Sequence, residues 1–197
     1  MNQINQFEIG ILDWIRDNLS CNFLDVTMRG ITILGNNGIF FIILAIICLS
    51  IKKTRKFGST LSIALFLEIL IVNIILKPLV GRMRPFMLND AVELIIPALE
   101  SASFPSGHTA FAFAFALSLL VFGKKGVIPG VIFGAIMGFS RMYLYVHYPT
   151  DVLGGALIGS LCGFIAYLIT KKTYNYLEED VVYEFNEDKI DNVENKN

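Results

Sequence analysis

Only two histidines occur in this 197-residue chain, and each stands in a short polar stretch of an otherwise apolar sequence. His147 precedes Asp151 by four residues in Ser140-Arg141-Met-Tyr-Leu-Tyr-Val-His147-Tyr-Pro-Thr-Asp151. If that stretch is helical, imidazole and carboxylate share a face. The Asp then accepts from one ring nitrogen, sets the tautomer, and leaves the other lone pair free to attack. Arg141 adds a planar fork of donors suited to phosphate.

His108 lies in Phe104-Pro105-Ser106-Gly107-His108-Thr109, where an apolar helix is predicted to begin. Ser106 suits an N-cap, Gly107 lets a ligand approach the backbone, and the free N–H groups of a helix start favour an anion. A third stretch, Lys77-Pro-Leu-Val-Gly-Arg-Met-Arg84-Pro85, carries two cations on a connection stiffened by Pro78 and Pro85. Lys77, Arg84, Arg141, a helix start and two imidazoles suit a multiply charged anion, because each donor stabilises charge on the oxygens of a phosphorus in its transition state. A metal site built on His147 and Asp151 with Asp90 or Glu93 is the weaker alternative. Fixed cations repel a divalent ion and the ligand supply is poor, so neither a metal nor a cofactor is expected.

The elements that must carry these groups are membrane helices. Hydrophobic residues make up 54% and charged residues 17% of the chain, with a mean hydropathy of +0.61, which is too apolar for an ordinary soluble domain. Glu8 and Asp13 precede any long apolar run, so the N-terminus does not read as a cleaved secretory signal. Five segments approach the roughly 20 apolar residues of a spanning helix: 38–51, 57–76, 109–122, 127–139 and 152–169. Residues 7–33 are amphipathic and are expected to lie at the interface or to form a poorer sixth span. The expected fold is all-α, a polytopic membrane bundle of about six helices. Residues 1–36 form its first segment, 37–170 its core, and 171–197 an acidic, disordered tail.

If the spans alternate, Lys52, Lys53, Arg55 and Lys56 share one side with Lys124, Lys125, Lys171 and Lys172. The positive-inside rule makes that side cytoplasmic. All three polar clusters then meet at the outer ends of the central helices of a plasma-membrane protein. Lys77, Arg82, Arg84 and Arg141 sit where the rule disfavours them. Arg82, outside the motif, is expected to be an interfacial anchor, with a supporting contact behind the site or a contact to a headgroup as the alternative. Glu68, nine residues before Lys77, is expected to lie too deep in its helix to join the site. Phe111, Phe113 and Phe115 are expected to pack or to face lipid, and Cys21, Cys48 and Cys162 to be packing residues.

The three stretches, Lys-x6-Arg-Pro, Pro-Ser-Gly-His and Ser-Arg-x5-His-x3-Asp, resemble the signature motifs of the type 2 phosphatidic acid phosphatase family, complete and in order, with a similar apolar framework over residues 37–170. The resemblance implies that His147 forms a phosphohistidine and Asp151 orients it. It implies that His108 protonates the leaving oxygen and then helps to activate water. Lys77, Arg84, Ser106, Gly107 and Arg141 would hold the phosphate. The implied partners are the bilayer and a lipid phosphate or diphosphate, not nucleic acid, and similar bacterial proteins put undecaprenyl diphosphate first, before phosphatidylglycerol phosphate and phosphatidic acid. A lipid phosphotransferase, a non-catalytic anion-binding or transport protein and a haloperoxidase would use the same pocket. Oligomeric state is not legible.

Overall fold

The computed structural model describes residues 3–89 and 92–194, with side chains described for 5–89 and 92–175. Among the described residues eight α-helices follow one another: α1 (Gln3–Leu19), α2 (Asn22–Leu34), α3 (Ile39–Ser50), α4 (Arg55–Glu68), α5 (Lys77–Val80), α6 (Gly107–Ser118), α7 (Lys124–Tyr143) and α8 (Pro149–Glu194). A π-helical stretch, Ile69–Leu76, joins α4 to α5, so that one apolar element runs from Lys52 to Met87. Among the described residues that element, α7 and residues 149–175 of α8 are long and apolar enough to cross a membrane. The bent pair α2 and α3 counts as a fourth span if its two halves cross together, and Gly107–Phe122 is a shorter apolar helix.

The amphipathic stretch 7–33 is therefore not one sixth span. Its first part belongs to α1, which is too short and too polar to cross, and its second part is the upper half of the pair that continues into α3. The two halves meet at an angle of 41°. Asn37 and Gly38 adopt positive φ at this bend, a conformation open to Asn and Gly and poor for most residues.

At the centre stands α6, whose alanines 110, 112, 114 and 116 are fully buried. One stripe of α8, Gly155, Gly159 and Gly163, lies so close to α6 that an added Cβ would strike the backbone at Ser106, Ala110 and Ala114. Small residues at this spacing let two helices touch where apolar side chains gain nothing by leaving lipid. Phe111 and Phe115 pack with Phe41 in the same core, so this helix is interior and not lipid-facing. The outward residues of α3 and α8, among them Ile43, Ile46, Leu153 and Leu157, are large, apolar and exposed, as a hydrocarbon solvent allows.

At one end of the bundle α1 and α2 pack against the segments 86–88, 92–99 and 143–148 through Ile9, Leu12, Ile15 and Met28. Cys48 and Cys162 are buried free thiols, whereas Cys21 is an exposed one. The expected acidic tail, 171–197, begins within α8. Its side chains from Tyr176 onward, with all of 195–197, lie outside the described residues.

Candidate active site

The end of α5, the start of α6, the end of α7 and the start of α8 meet at the capped end of the bundle. There a cavity of about 300 Å³ is lined by Lys77, Arg84, Gly107, His108, Arg141 and His147, with Asn73, Ser101 and Phe111 beside them. The three stretches singled out in the sequence thus converge on one space. Two of their residues stand behind it. Asp151 backs His147, and Ser106 is fully buried with its Oγ 2.9 Å from Thr109 Oγ1. Ser106 does occupy the N-cap of α6, yet its hydroxyl caps no backbone N–H. Asp90, weighed above as a metal ligand, lies outside the described residues.

Each cation is held differently. Arg84 is buried and clamps two loops: Nε donates to Ser101 O at 2.7 Å, Nη1 to Val146 O at 2.8 Å, and Nη2 to Ser101 Oγ at 3.1 Å. Its Nη1 also lies 3.2 Å from His147 Nε2. Arg141, equally buried, donates Nη1 to Thr32 Oγ1, while its Nε and Nη2 have no hydrogen-bond partner among the described residues. Buried guanidinium N–H groups left unpaired are costly, so an arginine that lines the cavity and keeps two of them suits an anionic acceptor.

Lys77 donates to Asn73 Oδ1 at 2.9 Å, and Asn73 Nδ2 is 3.5 Å from Glu68 Oε2. Glu68 was expected to be a buried, hydrogen-bonded interior residue too deep for the site; it is buried behind Asn73, and the π-helical stretch links it to Lys77. Residues five apart diverge around an α-helix and come into line where the ladder runs i to i+5. Glu68 is fully buried, and its Oε1 lies 4.0 Å from where a Cβ on Gly107 would stand. The same imagined Cβ would sit 3.4 Å from Lys77 Nζ, so glycine there keeps the cavity floor open.

His147 sits in the turn between α7 and α8, which is not helical, so its pairing with Asp151 does not come from a shared helix face. Asp151 instead turns back from the first turn of α8. Its Oδ2 accepts from Tyr148 N at 2.9 Å and from Ser103 Oγ, and lies 3.4 Å from His147 Nδ1. That last contact is long and poorly aligned, leaving Nδ1 without a well-formed hydrogen bond. Burial holds the His147 imidazole down at about 3; the charges of Arg84 and Arg141 push the same way, and Asp151 opposes them. Tyr145, two residues earlier, has φ 62, a strained conformation for an aromatic residue that costs about 1–3 kcal/mol.

Several positioning groups were not visible as such in the sequence. Asn36 Oδ1, at the bend between α2 and α3, lies 3.0 Å from His108 Nε2. Arg82 proves not to be an interfacial anchor. It donates Nη1 to Asp151 Oδ1 at 2.6 Å and Nη2 to Glu8 Oε2 at 2.5 Å, and its guanidinium lies 3.9 Å over the Tyr148 ring. The signal that could have found it was its position on the side where the charge rule disfavours arginine.

Residues 57–174 match the PAP2 superfamily profile. The chain belongs to the PAP2 superfamily. Among its PAP2 relatives, an undecaprenyl-diphosphatase of Sulfolobus acidocaldarius is 34% identical over 58% of this chain and 56% of its own. Phosphatidylglycerophosphatase B of Bacillus subtilis is 35% identical over 73% of each. The chain spans about half the length of the first curated relatives that it matches. Of solved PAP2 structures, Aquifex aeolicus LpxE superposes with a TM-score of 0.69 at 35% identity, covering 80% of this chain and 92% of that one. The transmembrane PAP2-type phosphatidylglycerolphosphate phosphatase of Bacillus subtilis gives 0.71 at 27% identity, covering 87% and 88%.

Proposed function

We propose that this chain is a lipid phosphatase that hydrolyses a lipid phosphate or diphosphate through a phosphohistidine, with undecaprenyl diphosphate as its first-ranked substrate. The observation that carries the reading is Arg141, which lines the cavity with Lys77, Arg84 and both histidines and has two buried nitrogens without a hydrogen-bond partner among the described residues. Lys77, Arg84, Arg141 and the start of α6 at Gly107 hold the equatorial oxygens, with Ser106 supporting that helix start from behind. His147 Nε2 attacks phosphorus, forming an N–P bond as the bond to the leaving oxygen breaks, and His108 supplies the proton that this oxygen takes. Water then attacks the phosphohistidine with His108 as base, the N–P bond breaks, and inorganic phosphate leaves with His147 neutral again.

The basic turns Lys52 to Lys56, Lys124 with Lys125, and Lys171 with Lys172 support a cytoplasmic placement of the end opposite the site. By that reading the cavity opens at the outer face of the plasma membrane and the tail is cytoplasmic. Matches to phosphatases of polyprenyl diphosphate and of phosphatidylglycerol phosphate support a membrane lipid as substrate.

The test is inorganic phosphate release by purified protein in detergent with chelator present, from undecaprenyl diphosphate, phosphatidylglycerol phosphate and phosphatidic acid, beside His147→Ala. Release that survives chelator and disappears in the variant is the expected result and ranks the lipids. No release from any of them, or release undiminished in the variant, overturns the reading.

A further inference from the structure

Resting on the reading of Asp151 and His147 given above, we propose that the N-terminal helix α1 is a positioning element of the active site, in which Glu8, acting through Arg82, holds the carboxylate that orients His147. α1 is not among the spans, and it touches the start of α8 at one point and the turn that carries His147 at another.

At the first point, Glu8 is buried and fully engaged: Oε2 pairs with Arg82 Nη2 at 2.5 Å, and Oε1 accepts from Thr150 N at 2.8 Å and Thr150 Oγ1 at 2.7 Å. Arg82 spans the gap, its Nη1 reaching Asp151 Oδ1 at 2.6 Å and Thr150 Oγ1 at 2.7 Å, with Asn5 Oδ1 on Nη2 at 2.9 Å. One oxygen of Asp151 is thereby fixed by Arg82 and the other faces His147, Ser103 and Tyr148 N. A carboxylate held at one oxygen by a planar guanidinium cannot swing away from the imidazole. At the second point, Asp13 Oδ1 accepts from Tyr145 Oη at 2.6 Å, bracing the residue with positive φ two positions before His147.

The charge arrangement supports a role in orientation. Two carboxylates, Glu8 and Asp151, share one guanidinium, so the cluster carries one net negative charge, which faces the imidazole that takes on positive charge as it bonds to phosphorus. Without Arg82, Asp151 would be held by Oδ2 alone, through Ser103 and Tyr148 N, and Glu8 would keep Thr150 but lose its charged partner.

The experiment measures kcat and KM per titrated active site for Arg82→Met, Arg82→Lys, Glu8→Gln and His147→Ala, in detergent, on a short-chain phosphatidic acid. Alkaline-quenched single turnovers record phosphohistidine formation alongside. Arg82→Met should lower kcat about 10- to 100-fold, the scale of a displaced reacting group, with KM within about threefold of wild type. Arg82→Lys should recover part of that loss, and Glu8→Gln, nearly isosteric, should lower kcat about threefold to tenfold. The loss should fall on phosphohistidine formation. If Arg82→Met does not fold, Arg82→Lys and Glu8→Gln decide the matter. Wild-type kcat per active site in these variants, with His147→Ala inactive, overturns the proposal and leaves the phosphatase reading standing. An active His147→Ala would remove both.

Discussion

Arg84 Nη1 and His147 Nε2 lie 3.2 Å apart, both buried. A guanidinium donates and never accepts, so Nε2 must be the unprotonated nitrogen and the ring proton sits on Nδ1, towards Asp151. The lone pair at the cavity is thus the one that would attack. On the proposed reading, Arg84 holds that lone pair until a phosphate oxygen takes over the donor.

Replacing Arg84 by Lys removes the fork that joins Ser101, Val146 and His147. A single ammonium cannot serve all three, so kcat/KM should fall about 100-fold or more, as for loss of one oxyanion donor. The thermal unfolding midpoint in detergent should fall as well, because buried carbonyls lose their partner. Phosphate release and a melting curve check both, and an unchanged midpoint would mean that the clamp is not structural.

Asn36→Ala removes the group facing His108 Nε2 at 3.0 Å. If Asn36 orients the proton donor, an alkyl phosphate should lose about tenfold or more in rate, while an aryl phosphate with its good leaving group loses less. Comparing the two leaving groups checks this. Equal losses would take Asn36 and His108 out of the acid step.

Asn73→Leu cuts the link from Glu68 to Lys77. Lys77 then lacks its tether, and KM should rise about 3- to 30-fold, the value of one charge-assisted hydrogen bond or less. Glu68→Gln keeps an acceptor for Asn73 and should do less. A larger effect from Glu68→Gln would show that the charge, and not the link, matters.

Acid should destabilise the fold through His147. Its folded value of about 3 lies below the 6.5 of an unstructured imidazole, so the unfolded chain binds the proton first. The stability is fully present above about pH 6.5 and is lost as pH falls towards 3, on the order of 3 kcal/mol by pH 4. Thermal unfolding between pH 7.5 and 4 checks the sign. His147→Gln should show a shallower decline than wild type.

Much of the site was legible before the fold because phosphate chemistry needs residue types that are scarce in an apolar chain. Lys77, Arg84, His108, Arg141 and His147 stood out, and the cavity brings them together. Glu68 lies buried behind the cavity, as its depth in the helix suggested, but its link to Lys77 through Asn73 was not legible because only a π-helical stretch aligns residues five apart. Arg82 was misjudged because its partners lie far away in sequence: Glu8 is 74 residues away and Asp151 69. Residues 7–33 were ambiguous because hydropathy does not reveal the bend at Gly35 to Gly38 that divides α2 from α3.

By itself the amino-acid sequence determined that the chain is a membrane helix bundle and that its polar motifs gather at one end. Apolar run lengths and the alternation of spans leave no other place for them. Tertiary structure alone decided which donors stay unpaired, as on Arg141, which face the backbone, as on Arg84, and that α1 reaches Asp151 through Arg82. The physical reason is that pairing of buried charges depends on distances of a few ångströms between segments remote in sequence, and local periodicity carries no information about those distances.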